Sequence, residues 1–115
     1  MLSLYKLYTM PERRKFARKK RRLTVEFQWN NHESTGFTYD VSPTGMFVRS
    51  VRIPGLGVRL KSRLLLPNAQ AIQLVGTVVR ALRVPTSLAR AVPSGFGLTM
   101  LERPPEEYLQ YLATL

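Results

Sequence analysis

Apolar and polar positions alternate with period two along most of the chain from residue 23 to residue 100. Leu23, Val25, Phe27 and Trp29 alternate with Thr24, Glu26 and Gln28, which predicts a strand with β-branched and aromatic side chains on one face. The polar stretch Asn30 to Thr35 predicts a turn. Phe37, Tyr39 and Val41 alternate with Thr38 and Asp40 and predict a second strand. Ser42-Pro43-Thr44-Gly45 has the composition of a turn, and Met46-Phe47-Val48 opens a third strand. After the turn Pro54-Gly55-Leu56-Gly57, the residues Val58, Leu60, Leu64 and Leu66 line one side of a fourth strand, with Arg59, Lys61 and Arg63 opposite. Pro67-Asn68 ends it. Ala71 to Val84 reads as a long, valine-rich fifth strand, with Gly76 where a barrel strand bends. A loop from Pro85 to Ser94 leads to a sixth strand, in which Phe96, Leu98 and Met100 alternate with Gly95, Gly97 and Thr99.

The last segment changes period. Pro104-Pro105-Glu106-Glu107 suits a helix start, with proline early and acids placed against the helix dipole. Tyr108, Tyr111, Leu112 and Leu115 then recur at helical spacing and predict a packing face. The chain therefore reads as all-β, a closed or nearly closed barrel of six short strands followed by a C-terminal α-helix. With 115 residues it holds one domain. Residues 1–11 form an N-terminal extension and 12–115 the domain proper.

Charge changes the picture. Eighteen Lys and Arg against seven Asp and Glu give a formal net charge of +11, and such an excess points to anionic partners. Nine of the basic residues (Lys6, Arg13, Arg14, Lys15, Arg18, Lys19, Lys20, Arg21, Arg22) fall between positions 6 and 22, with Glu12 the one acid among them. This run has no amphipathic period and reads as a solvated arm or a loop that orders on binding. There is no cysteine, and the single histidine, His32, sits in a polar stretch. Disulfides and thiolate metal sites are therefore excluded, and a metal centre is not expected. No apolar run reaches the roughly 18–20 residues that span a bilayer. Met1 to Met10 lacks the basic n-region and cleavage site of a signal peptide, so the expected location is cytoplasmic.

Two clusters carry candidate chemistry. Arg13-Arg14-Lys15-Phe16-Ala17-Arg18 contains an Arg-x-x-x-Arg spacing at Arg14 and Arg18. Asp40-Val41-Ser42-Pro43-Thr44-Gly45 is an Asp-x-Ser-x-x-Gly. Each is unspecific alone. Their order, with one strand and its turn between them, is far more specific.

This pair resembles the signature of the PilZ domain family, and the resemblance runs from Glu12 onward. It includes Gly76-Thr77-Val78-Val79-Arg80, Gly95-Phe96-Gly97-Leu98 and the terminal helix, and every signature position is filled. The resemblance implies a six-stranded antiparallel split barrel with a C-terminal helix. It also implies a bacterial receptor for the second messenger cyclic di-GMP, with no further cofactor. The implied ligand-binding residues are Arg13, Arg14, Arg18, Asp40, Ser42 and Gly45, with Arg80 and Gly97 as additional candidates.

The residue types suit that ligand. A guanidinium can fork onto a phosphate or onto guanine O6 and N7, and can stack on a purine. Asp40 can accept from the guanine N1–H and N2–H₂ edge or orient an arginine, and Ser42 can bond to phosphate or guanine. Gly45 can take φ > 0 and admit the ligand to the backbone. The plainer alternative stays open, in which Asp40 and Ser42 close an Asx-type turn and the arginines are solvated. Arg80 and Arg83 either face the same site or point to solvent.

The expected mechanism is an adaptor whose arginine arm orders on binding and presents a new surface to an unidentified protein effector. Motility and biofilm formation are both compatible outputs. Two rivals are a nucleic-acid-binding small barrel and a ligand-independent interaction module. Against the first, the sequence has no aromatic platform interleaved with basic residues on one strand. The chain offers no base–nucleophile set and no paired catalytic carboxylates, so enzymatic activity is not expected.

Overall fold

The computed structural model describes residues 17–88 and 94–115. Its strands are β1 (Lys19–Lys20), β2 (Thr24–Trp29), β3 (His32–Ser42), β4 (Gly45–Arg49), β5 (Arg59–Leu65), β6 (Ala71–Leu82) and β7 (Gly95–Met100). A 3₁₀ turn, Thr86–Leu88, follows β6, and one α-helix, α1 (Glu106–Ala113), closes the described chain. All strand pairings are antiparallel. The order β3-β2-β5-β6-β7-β4 returns on itself through the β3–β4 pair, giving a closed six-stranded barrel.

The predicted alternation fills the interior. Leu23, Val25 and Phe27, then Leu60, Leu64 and Leu66, then Phe96 and Leu98 are all buried. They meet Val41, Met46, Val48, Ile72, Leu74 and Val78 in one cluster. Phe27 sits at its centre, edge-on to Phe96 at 5.1 Å and stacked on Trp29 at 5.7 Å. Helix α1 closes one end. It contributes fully buried Tyr108, with Leu109, Tyr111 and Leu112 packed at the margin.

Three local readings change in the folded chain. The expected turn over Asn30 to Thr35 shrinks to Asn30-Asn31, and Trp29 pairs with His32 across it. Asn30 takes φ +50°, as tight two-residue hairpins demand. The polar residues 32–35 extend β3 because pairing with β2 satisfies their backbone, whatever their side chains prefer. The basic run is not wholly an arm, since Lys19–Lys20 forms β1, pairing with Val41 and Asp40 of β3. Finally, Phe37, Tyr39 and Val41 do not share a face. A bulge at Tyr39 breaks the register between Thr38 and Asp40, leaving Phe37 outside and Val41 inside. β6 carries a register shift of its own against β7, between Val78 and Arg80.

Thr38, buried just before the bulge, anchors the start of the barrel. Its Oγ1 accepts from the Leu23 amide at 2.8 Å and donates to the Arg21 carbonyl at 2.5 Å. The Thr38 amide donates to the Leu23 carbonyl at 2.9 Å. These bonds hold the link between β1 and β2 along one edge of β3.

Candidate functional site

Asp40 lies directly after the bulge, half-buried on the barrel's outer face. Its Oδ1 accepts from Arg18 Nε at 2.9 Å, from a terminal nitrogen of Arg18 at 2.6 Å, and from the Phe47 amide at 3.2 Å. The ion pair keeps side-chain exposures of 26% and 18%, so water screens it only in part. Arg18 and Asp40, 22 positions apart and one from each sequence cluster, are thus brought together.

The register extends Asp40 into a row. Lys20 pairs with Asp40, Asp40 with Phe47, Phe47 with Gly97, and Gly97 with Arg80. Phe47 and Gly97 alternate with core residues Met46, Val48, Phe96 and Leu98, so the row lies on the outer face. From Asp40 to Arg80 is three strand spacings, about 14 Å along the sheet. Gly97 leaves a gap in the row beside exposed Arg80, and a Cβ there would approach the Arg80 Cβ at 3.3 Å. Tyr39 packs edge-on against Phe47 at 6.3 Å, and Lys20 Nζ lies 5.5 Å from the centre of the Tyr39 ring. The additional candidates Arg80 and Gly97 therefore stand on the same surface as Asp40. Phe47, Tyr39 and Lys20 join them although no motif marked them.

Ser42 and Gly45 take different positions from those expected. Ser42 pairs with Gly45 across the two-residue turn Pro43-Thr44. Its hydroxyl is buried, donating to the Gly45 carbonyl at 3.1 Å beside Thr44 Oγ1 at 3.4 Å. The hydroxyl closes the turn, whereas Asp40 takes no part in it and binds Arg18 and the Phe47 amide. Gly45 does not take φ > 0; among the described glycines only Gly57 does. Gly45 is needed for a different reason, since a Cβ on it would collide with the Leu98 carbonyl of β7.

The Ser42 carbonyl accepts from the Tyr108 hydroxyl of α1 at 2.7 Å. Burial pushes the Tyr108 phenol well above its ordinary value; the Ser42 bond and the Arg18 charge oppose this, and Asp40 adds to it. By its helical spacing Tyr108 reads as part of a packing stripe. A buried tyrosine nevertheless needs a partner for its hydroxyl, and that need was the available signal. Arg13 and Arg14 lie outside the described residues, and the arm is seen only from Ala17.

A second feature lies beside β1. An open groove of about 910 Å³ is lined by Lys20, Arg21, Arg22 and Arg49 together with Phe37 and Tyr39. No acid lines it among the described residues. The Arg22 guanidinium stacks 4.0 Å above the centre of the Phe37 ring. No single strand shows this platform in sequence, because the aromatics stand on β3 and the cations on the segment from Lys20 to Arg22 and at the end of β4.

Comparison with known proteins places this geometry in context. The family model described as PilZ domain matches residues 12–115. No curated protein matches the sequence. Among solved structures, the inhibitor of motility from Bacillus subtilis (MotI/DgrA) is 21% identical with a TM-score of 0.71, covering 88% of this chain and 48% of that one. The chain thus spans about half the length of that protein. The PilZ domain of YcgR from Escherichia coli, solved with c-di-GMP, is 14% identical with a TM-score of 0.70, covering 87% and 88%. The PilZ domain of CeSA from a cellulose-synthesizing bacterium is 17% identical with a TM-score of 0.54, covering 75% and 82%. Among the described residues, no helix is long and apolar enough to cross a membrane.

Proposed function

The chain belongs to the PilZ domain family, and we propose that it is a receptor for cyclic di-GMP that passes the ligand's presence to a protein effector by ordering its arginine arm. The observation that carries this reading is the Arg18–Asp40 pair, which ties the two signature clusters into one site. The solved YcgR domain with c-di-GMP supports the ligand's identity at the level of the family.

In this reading Arg13, Arg14 and Arg18 supply guanidinium forks to the ligand's phosphates and guanines. Each charge-assisted bond contributes about 1.5–3 kcal/mol. Three of them supply much of the roughly 8 kcal/mol of a micromolar complex, before ordering costs. Asp40 uses Oδ1 to hold Arg18 and leaves Oδ2 for a guanine edge. Ser42 and Gly45 shape the turn, while Gly97 leaves space beside Arg80 for a flat ring. Without ligand, nine basic residues between Lys6 and Arg22 repel one another, and a dianionic ligand relieves that repulsion and draws the arm onto the barrel. The deciding experiment is a calorimetric titration with cyclic di-GMP, alongside GTP and cyclic di-AMP. Selective binding that Arg18→Ala abolishes supports the receptor, and silence in a folded sample ends the proposal.

The groove of Lys20, Arg21, Arg22 and Arg49 favours a second reading, in which the same barrel holds single-stranded nucleic acid against Phe37 and Tyr39. Titration with oligothymidylates of increasing length decides it. Steeply salt-dependent affinity that grows with length and falls in Phe37→Ala supports this reading.

A further inference from the structure

Helix α1 is too short to be stable alone. It has eight residues, and no side chain caps its N-terminus; helices of this length are marginal in water. It is held by packing on the barrel's end through Tyr108, Leu109, Tyr111 and Leu112. The Tyr108 hydroxyl reaches across 66 sequence positions to the Ser42 carbonyl.

The place of that acceptor is what matters. Ser42 is the middle residue of Asp-x-Ser-x-x-Gly, with its hydroxyl already spent on the Gly45 carbonyl. Apart from the strand ladders, two hydrogen bonds among the described residues reach the Ser42–Gly45 turn from outside its own hairpin. The Met100 amide donates to the Thr44 carbonyl at 2.9 Å, and the Tyr108 hydroxyl donates to Ser42. The first comes from the neighbouring strand and is part of the barrel wall. The second comes from α1, which lies outside the barrel wall.

An apolar cleft of about 280 Å³ is lined by Ala17 and Lys19 of the arm, Val41 and Pro43 of the hairpin, and Leu109 and Leu112 of α1. The ligand arm, the ligand turn and the helix meet there without filling the space.

We infer that Tyr108 is a positioning residue of the cyclic di-GMP site: by holding the Ser42 carbonyl it sets the shape of the Asp40–Gly45 turn, and it makes α1 the element that responds when the turn is occupied. This deepens the receptor reading and rests on it for the ligand. The effect runs both ways, because a helix whose docking depends on the turn must also bias the turn. A tyrosine present only to fill the barrel's end would do the same with phenylalanine.

The test is Tyr108→Phe, which keeps the ring and removes the donor. In the ligand-free protein, the Thr44 and Gly45 amides should exchange about tenfold faster in the variant, the size expected for losing one net hydrogen bond. Unchanged exchange overturns the positioning role, whether or not the protein binds cyclic di-GMP. With ligand, wild-type amides from Tyr108 to Leu112 should slow, and the variant should bind about five- to tenfold more weakly. A variant that melts earlier yet binds with unaltered affinity, its helix responding as before, reduces Tyr108 to packing and overturns the inference. If Tyr108→Phe does not fold, the wild-type helix alone decides: a helix that ignores bound ligand sinks the coupling. A wild type that binds no cyclic di-GMP instead ends the receptor reading, leaving the Thr44–Gly45 comparison to judge the positioning role.

Discussion

Arg18 directs two of its nitrogens, Nε at 2.9 Å and a terminal nitrogen at 2.6 Å, to one oxygen of Asp40. The pair is not a two-oxygen fork. Asp40 Oδ1 takes both bonds and the Phe47 amide besides, so the carboxylate holds the arm to the barrel and the β3–β4 hairpin to itself with a single atom. Removing either partner should act on ligand and fold to different extents.

Arg18→Ala should cost about 1 kcal/mol of stability, because the pair is partly exposed and screening discounts it. The same change should abolish measurable cyclic di-GMP binding. Asp40→Asn keeps an acceptor for the Phe47 amide and should preserve the fold while weakening binding by about tenfold or more. Chemical denaturation beside calorimetry separates the two effects. Equal losses in both would make the pair structural only.

Gly45→Ala and Gly97→Ala should differ sharply. The first drives a methyl into the Leu98 carbonyl, and strand backbone cannot retreat. It should cost about 2 kcal/mol or more and lower the thermal midpoint by several degrees. The second meets side chains alone, the Arg80 Cβ at 3.3 Å and Val79 Cγ2 at 4.0 Å, and should leave the midpoint within a degree or two. If the row from Asp40 to Arg80 receives the ligand, Gly97→Ala should still weaken binding. A Gly97→Ala protein with native affinity removes Gly97 from the site.

Thr38→Val tests the anchoring of the arm. Valine matches the shape but cannot serve the Leu23 amide or the Arg21 carbonyl, both bonded to Thr38 Oγ1. An unpaired buried group costs about 1–3 kcal/mol. Exchange at the Leu23 amide should accelerate more than global unfolding explains, and β1 should fray from β3.

Alkaline titration should single out Tyr108. Burial raises its phenol above the ordinary tyrosine value, so the folded protein holds that proton more tightly than the unfolded chain. Its contribution to stability is complete below about pH 10 and is lost as pH climbs from there toward the raised value. Tyr108→Phe should flatten this alkaline slope, read by denaturant midpoints between pH 9 and 11.

The strands that bury one clean face were legible in the sequence. Leu23-Val25-Phe27, Leu60-Leu64-Leu66 and Phe96-Leu98 alternate because each packs the interior, and burial of every second residue is a local property of an extended chain. The helix start at Pro104-Pro105-Glu106 was legible for the same kind of reason. The two signature clusters were legible as residue types in an order, and the Arg18–Asp40 bond unites them. Closure decided the rest. The bulge at Tyr39 exists because β3 must pair with β1 and β2 along one edge and with β4 along the other, and no window of residues 37–41 contains that constraint. That shift carries Asp40 into line with Phe47, Gly97 and Arg80, and it turns Phe37 outward beneath Arg22. Gly45 reads as a turn glycine, yet its need arises from a carbonyl 53 positions away. The Tyr108–Ser42 bond joins residues that only the barrel's end brings together. Periodicity reports which face a residue prefers; which residues meet across that face is fixed by register, and register is set by pairings that span the whole chain.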